Sequence, residues 1–172
     1  MKIDTRQLTL IALFLALSVI VPIVFHMIGA GSVFLPMFLP ILLAGFLIEF
    51  PLAILVGLLA PWLSAFVTGM PPLFPTALIM SIEGASATAV IGYFFYRRNW
   101  KFMVCLVLGI IVERISLVLM GFVLAPLFNL PGEIFSIYKL TQSLPGVGLQ
   151  IILIPIIYKI VERSQLINTL SK

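Results

Sequence analysis

The stretch IVERISLVLMG, Ile111 to Gly121, sets a glutamate and an arginine side by side inside an otherwise apolar run. Whether those two charges lie in water or in hydrocarbon decides the fold, and the rest of the chain answers. Of 172 residues, 62% are hydrophobic and 9% are charged. Soluble domains carry roughly 25% charged residues and about half apolar ones. A water-soluble fold of this length has no core large enough to hide such an excess, so the chain reads as an integral membrane protein.

Crossing ~30 Å of hydrocarbon takes ~20 mainly apolar residues in a helix. Setting aside the short polar connectors leaves about six spans, near residues 8–27, 34–49, 52–68, 75–96, 102–125 and 141–161. Segments of strand length with alternating polarity are absent, which argues against a transmembrane barrel. The expected fold is therefore an all-α bundle of six transmembrane helices, a single membrane domain over residues 1–172. No small-residue cleavage pattern follows the first span, which reads as an anchor rather than a signal peptide. The second and third spans are short and nearly touch through Glu49-Phe50-Pro51.

Orientation follows from Lys and Arg. With the N-terminus inside, Lys2, Arg6, Arg97, Arg98, Lys101, Lys159, Arg163 and Lys172 fall on the cytoplasmic side, and Lys139 alone falls outside. That asymmetry places both termini in the cytoplasm. Pro36, Pro40, Pro61 and the GMPPLFP loop imply irregular backbone on the outer side, tolerated only where protein or a water-filled cavity covers it. The single Cys105 excludes an intrachain disulfide and a cysteine metal cluster. His26 has no second ligand near it, and no metal site is expected. Neither a GxxxxGK[ST] loop nor a GxGxxG run occurs, so ATP hydrolysis belongs to another chain. No nucleophile matches the lone histidine, and catalytic residues are not expected. No cofactor is expected in this chain, and the net positive charge is read as membrane topology rather than nucleic-acid affinity.

Ionisable groups inside a bilayer face the bundle interior and mark functional sites. At ~1.5 Å per residue, Glu83 lies ~12 Å in from the outer edge, Arg114 ~18 Å up from the inner edge and Gln150 ~13 Å in from outside. Three spans thus offer polar groups in one layer. Glu113 and Arg114 are consecutive and point ~100° apart on a helix. They are not expected to neutralise one another simply, and Glu83 is at the depth to partner Arg114. Ser81, Ser116 and Gln142 extend the network, with Met80 beside it. Phe34, Phe38, Phe74 and Tyr138 supply the apolar and aromatic lining that small-molecule sites favour. A self-contained proton-coupled carrier, with Glu83 and Glu113 as relays, is the alternative; no inverted internal repeat supports it.

Ala12 and Ala16 in LIALFLALSV lie four apart on one helix face, where small residues admit a close helix neighbour. Together with FLPMFLPILLAGF, GLLAPWLSAFVTGMPPLFP, IMSIEGASATA, GIIVERI and LPGVGLQIILIPII, this pattern resembles the substrate-binding S component of an energy-coupling factor (ECF) type vitamin transporter. The resemblance covers nearly the whole chain. It implies a multi-pass protein of a prokaryotic cytoplasmic membrane that binds a micronutrient from outside and topples to deliver it inside. It also implies that Ala12 and Ala16 contact a separate transmembrane T component driven by two ATPase subunits. The implied pocket lies in the outward halves of the last three spans and the loops after spans one, three and five, where Glu83, Glu113, Arg114 and Gln150 fall. The nickel and cobalt branch of that family begins Met-His, whereas this chain begins Met1-Lys2, and a metal substrate is not expected. The polar set suits a heterocycle of the vitamin B6 or hydroxymethylpyrimidine kind, with a carboxylated vitamin clamped by Arg114 as the other choice.

Overall fold

The computed structural model describes residues 4–27, 29, 31–129 and 141–164, and among these every regular element is helical. The helices are α1 (Thr5–Met27), α2 (Gly31–Phe34), α3 (Phe38–Leu47), α4 (Ala53–Thr68), α5 (Leu78–Gly92), α6 (Phe102–Phe128) and α7 (Leu144–Arg163). A wider π turn at Tyr93–Arg97 lengthens α5 at one end, and at the other the chain enters it from Leu73–Ala77 across a kink at Phe74, whose backbone is extended (φ −130°, ψ 137°). Four stretches are long and apolar enough to cross a membrane: Thr5–Met27, Leu73–Arg97, Phe102–Phe128 and Leu144–Arg163.

The segment expected as a span over 34–49 takes a different form. It is broken at Leu35–Met37, and α3 has only ten residues, ~15 Å of rise against ~30 Å of hydrocarbon. Leu35 at the break has a positive φ of 48°, which ends the preceding helix, and Ile48 is extended just past the end of α3. Nine of the ten α3 residues are buried. A helix apolar all round belongs in the middle of a bundle, and α3 is packed against α1, α4, α5 and α7. Its first residue, Phe38, lies beside Arg114, near the middle of α6.

The two ends of the bundle differ. At one end the Gln7 Oε1 accepts from the Glu49 amide at 3.2 Å, and the Tyr96 hydroxyl donates to the Phe46 carbonyl at 2.7 Å. Phe46 packs on Phe95 and Phe102, and Phe102 stacks on Tyr158 with centroids 4.4 Å apart. Arg6, Arg97, Arg98, Lys101, Lys159 and Arg163 all gather at this end, because α1 begins, α5 ends, α6 begins and α7 ends there. At the opposite end the described residues outside the helices carry no Asp, Glu, Lys or Arg. Phe74 meets Phe128 there at 4.9 Å, and Phe25 meets Phe34 at 5.9 Å.

The tightest helix pair is α4 against α5. A Cβ on Gly57 would lie 2.4 Å from the Gly84 carbonyl carbon and oxygen, and one on Gly84 would lie 2.7 Å from the Gly57 carbonyl oxygen. The backbones touch, which only glycine allows. Along α1 the buried residues Ile11, Phe14, Ser18 and Pro22 recur every three or four positions. The other face leaves Leu8, Ala12, Ala16, Ile20 and Val24 exposed.

Candidate functional site

The polar site is built where α3, α6 and the start of α7 converge. Glu113 and Gln150 are 0% exposed, and the Arg114 side chain is 18% exposed. Arg114 Nη2 donates to Glu113 Oε1, forming an ion pair between consecutive residues. This corrects the expectation that the two charges would look elsewhere. Their Cα–Cβ bonds do diverge around the helix, but the guanidinium stands on a flexible three-carbon stem that can turn back across its own backbone. Burial then makes the pairing obligatory, since either charge left alone in this interior costs several kcal/mol.

Two further contacts hold the guanidinium. Its Nη1 donates to the Ser143 hydroxyl at 3.2 Å, and its Cζ lies 6.0 Å from the centroid of the Phe38 ring. Phe38 can sit beneath it because α3 begins there. Cation–π contact of this kind contributes roughly 0.5–2 kcal/mol, more when water is excluded. Ser143 immediately precedes α7, in the turn that follows Thr141 and Gln142. Gly146 keeps that end of α7 against α2: a Cβ there would fall 2.7 Å from the Phe34 carbonyl carbon.

The cluster is incompletely hydrogen-bonded. Gln150 stands beside the Glu113 carboxylate but outside hydrogen-bond geometry, and both its Oε1 and Nε2 lack a partner. So do Glu113 Oε2 and Arg114 Nε. Buried polar groups are normally satisfied, and each one left unmade costs about 1–3 kcal/mol.

Glu83 lies outward of this group along α5. It is buried on α5, yet the ion pair among the described residues is Arg114–Glu113. The packing of α5 on α6 gives the reason. Ser86 and Ser116 face each other with hydroxyls 2.8 Å apart, so in this antiparallel pair Arg114 is level with Thr88. Glu83 is five residues away along α5, ~7.5 Å toward the loop-rich end. Ser116 is engaged by Ser86 across the two helices. Ser81 donates to the Ala77 carbonyl within its own helix at 2.8 Å, and Met80 packs against the apolar core. Phe74 is exposed at the bundle end against Phe128. Phe34 lies under Gly146, one helical turn from Gln150, and Gln142 is half-buried next to Ser143. Tyr138 lies outside the described residues.

Ser143 is the contact that sequence reasoning missed. The one signal was its neighbour Gln142, already noted, in a turn whose boundary alone decides which side chain points inward. Ala12 and Ala16 are both on the exposed face of α1.

Fold and site together define a helical membrane protein that holds an ion pair and an amide in its interior. Residues 6–158 match the family of ECF transporter substrate-specific components, and the chain belongs to that family. No curated protein and no solved structure matches it.

Proposed function

We propose that this chain is the capture subunit of an ATP-driven importer, binding a small organic micronutrient outside and releasing it to the cytoplasm. The observation that carries the reading is the Arg114–Glu113 pair beside Gln150, buried with polar atoms on all three residues still unmet. In this reading Arg114, fixed by Glu113, Ser143 and Phe38, orients the ligand, and Gln150 completes the polar frame. Phe34 and Gln142 border it, and a heterocycle of the vitamin B6 or hydroxymethylpyrimidine kind is the favoured cargo. Glu83, Ser81, Met80 and Phe74 belong to the outward part of the same compartment, on the route in, and Tyr138 is read as a further ligand contact.

The chain works as one membrane domain of six segments, α3 and α4 being the short ones, in a prokaryotic cytoplasmic membrane. Both termini are cytoplasmic, which agrees with the basic residues gathered at one end of the bundle. It needs no cofactor of its own. Separate T and ATPase subunits drive release, and the T component docks on the exposed face of α1 at Ala12 and Ala16, where small side chains admit a close helix.

Native mass spectrometry of the full chain purified from rich medium tests capture. A vitamin-sized molecule should co-purify with the wild type and be lost from Arg114→Ala. In cells carrying the partner subunits, Ala16→Trp should keep binding and abolish uptake. Uptake unchanged by Ala16→Trp would remove the docking assignment, and uptake that survives ATP depletion would remove the ATP-driven reading.

A further inference from the structure

We infer that the buried site selects an uncharged ligand that presents a hydrogen-bond donor and an acceptor side by side, and that it rejects carboxylates and phosphates. This deepens the capture reading above and rests on it.

The argument is a charge and hydrogen-bond count. One carboxylate and one guanidinium face each other directly, so the pair is already neutral before any ligand arrives. Arg114 Nη1 is turned to Ser143 and Nη2 to Glu113. An incoming anion therefore has to share both Nη nitrogens with Ser143 and Glu113, and the two parallel bonds that Arg gives a carboxylate or phosphate are weakened by that competition. What the site still offers is two acceptors, Glu113 Oε2 and Gln150 Oε1, and two donors, Arg114 Nε and Gln150 Nε2. Exchanging the oxygen and nitrogen of the Gln150 amide leaves that count unchanged. An amide, a lactam or an amino-substituted heterocycle supplies both complements on one edge.

An anion would meet the two donors but place its second oxygen against Glu113 Oε2. Glu113 is fully buried and its one cation is already engaged, so the repulsion would be weakly screened. A cation would meet the acceptors and oppose Arg114 in the same way. The Phe38 ring below the guanidinium gives a flat ligand a surface that continues the stack. The 18% exposure of Arg114 places the opening on its side of the cluster.

The test uses the full-length wild-type chain in detergent and three matched pairs of probes: nicotinamide with nicotinate, pyridoxine with 4-pyridoxate, and biotinamide with biotin. Binding is read by calorimetry, and any co-purified molecule is identified by mass. In each pair that binds, the neutral member should bind at least about tenfold tighter, a difference of ~1.4 kcal/mol. The co-purified molecule should carry no acidic group. Glu113→Gln leaves Arg114 unbalanced and should bring the carboxylate member to parity or better. Gln150→Leu should weaken the neutral member, which loses a donor and an acceptor, more than the carboxylate, which loses a donor alone.

A carboxylate or phosphate bound as tightly as its neutral partner, or co-purified with the chain, overturns the selectivity while leaving capture intact. A neutral preference that persists in folded Glu113→Gln also overturns it, since the discrimination then arises elsewhere. No co-purified molecule and no binding by any probe overturns capture itself, and the inference falls with it.

Discussion

The α4–α5 seam and the α3–α6–α7 junction are both deeply buried, yet they are finished to different degrees. At the seam Gly57 meets Gly84 backbone to backbone, and the nearby hydroxyl of Thr88 bonds back to the Gly84 carbonyl at 2.7 Å. At the junction an ion pair, an amide and a serine share the interior, and four polar atoms of Glu113, Arg114 and Gln150 lack a partner. Folding has no reason to leave such groups unmade when apolar residues of the same size would pack there. Backbone contact at the seam serves packing, and the unmet groups at the junction are the ones that the proposed ligand would meet.

The hardest test of that contrast is Arg114→Ala. It strands the fully buried Glu113 and should lower stability by about 3–5 kcal/mol at neutral pH, read as thermal unfolding in detergent, with ligand binding lost. If Arg114→Ala unfolds at the wild-type temperature, the pair is not holding the junction together.

Next comes Gly84→Val, which drives a branched side chain into the Gly57 backbone. It should cost about 1–3 kcal/mol or more by overpacking, and reduce folded yield without changing ligand preference in whatever folds. A Gly84→Val protein of unchanged melting temperature would show that the two helices can part freely.

Gln150→Leu separates the two regions by sign. Removing an amide with no partner should leave the empty protein as stable or raise its unfolding free energy by about 1 kcal/mol, while weakening capture. A clear loss of stability would mean that Gln150 serves packing, and the junction would then resemble the seam. The smallest effect belongs to Ser86→Ala, which deletes the Ser86–Ser116 contact. A loss of about 0.5–1.5 kcal/mol with binding intact is expected. A matching loss of binding would extend the site along α5 toward Glu83.

Much of the helical layout was legible in the chain. The long apolar runs reappear as Thr5–Met27, Leu73–Arg97, Phe102–Phe128 and Leu144–Arg163, because hydrocarbon length and backbone satisfaction dictate them. The break at Leu35–Met37 was less legible. Pro36 and Pro40 announced irregular backbone, but how short α3 would be depended on neighbours able to bury it on every face. The site shows the same division. Glu113, Arg114 and Gln150 stood out as polar residues in apolar runs, and the structure brings them together. Glu83 stood out for the same reason, but lies about one and a half turns from Arg114 along the α5–α6 seam.

The amino-acid sequence by itself determined that this is a helical membrane protein, with most of its basic residues at one end and its few interior charges on the later spans. These are one-dimensional properties, set by apolar run length and by the cost of a charge in hydrocarbon. Only the tertiary structure decided which polar groups meet. Contact depends on the sliding of one helix along another, fixed by Gly57 on Gly84 and Ser86 on Ser116. It also depends on the rotamer by which Arg114 turns back onto Glu113. A shift of a few ångströms or one side-chain torsion separates these arrangements, and neither leaves a trace in the spacing of residues along the chain.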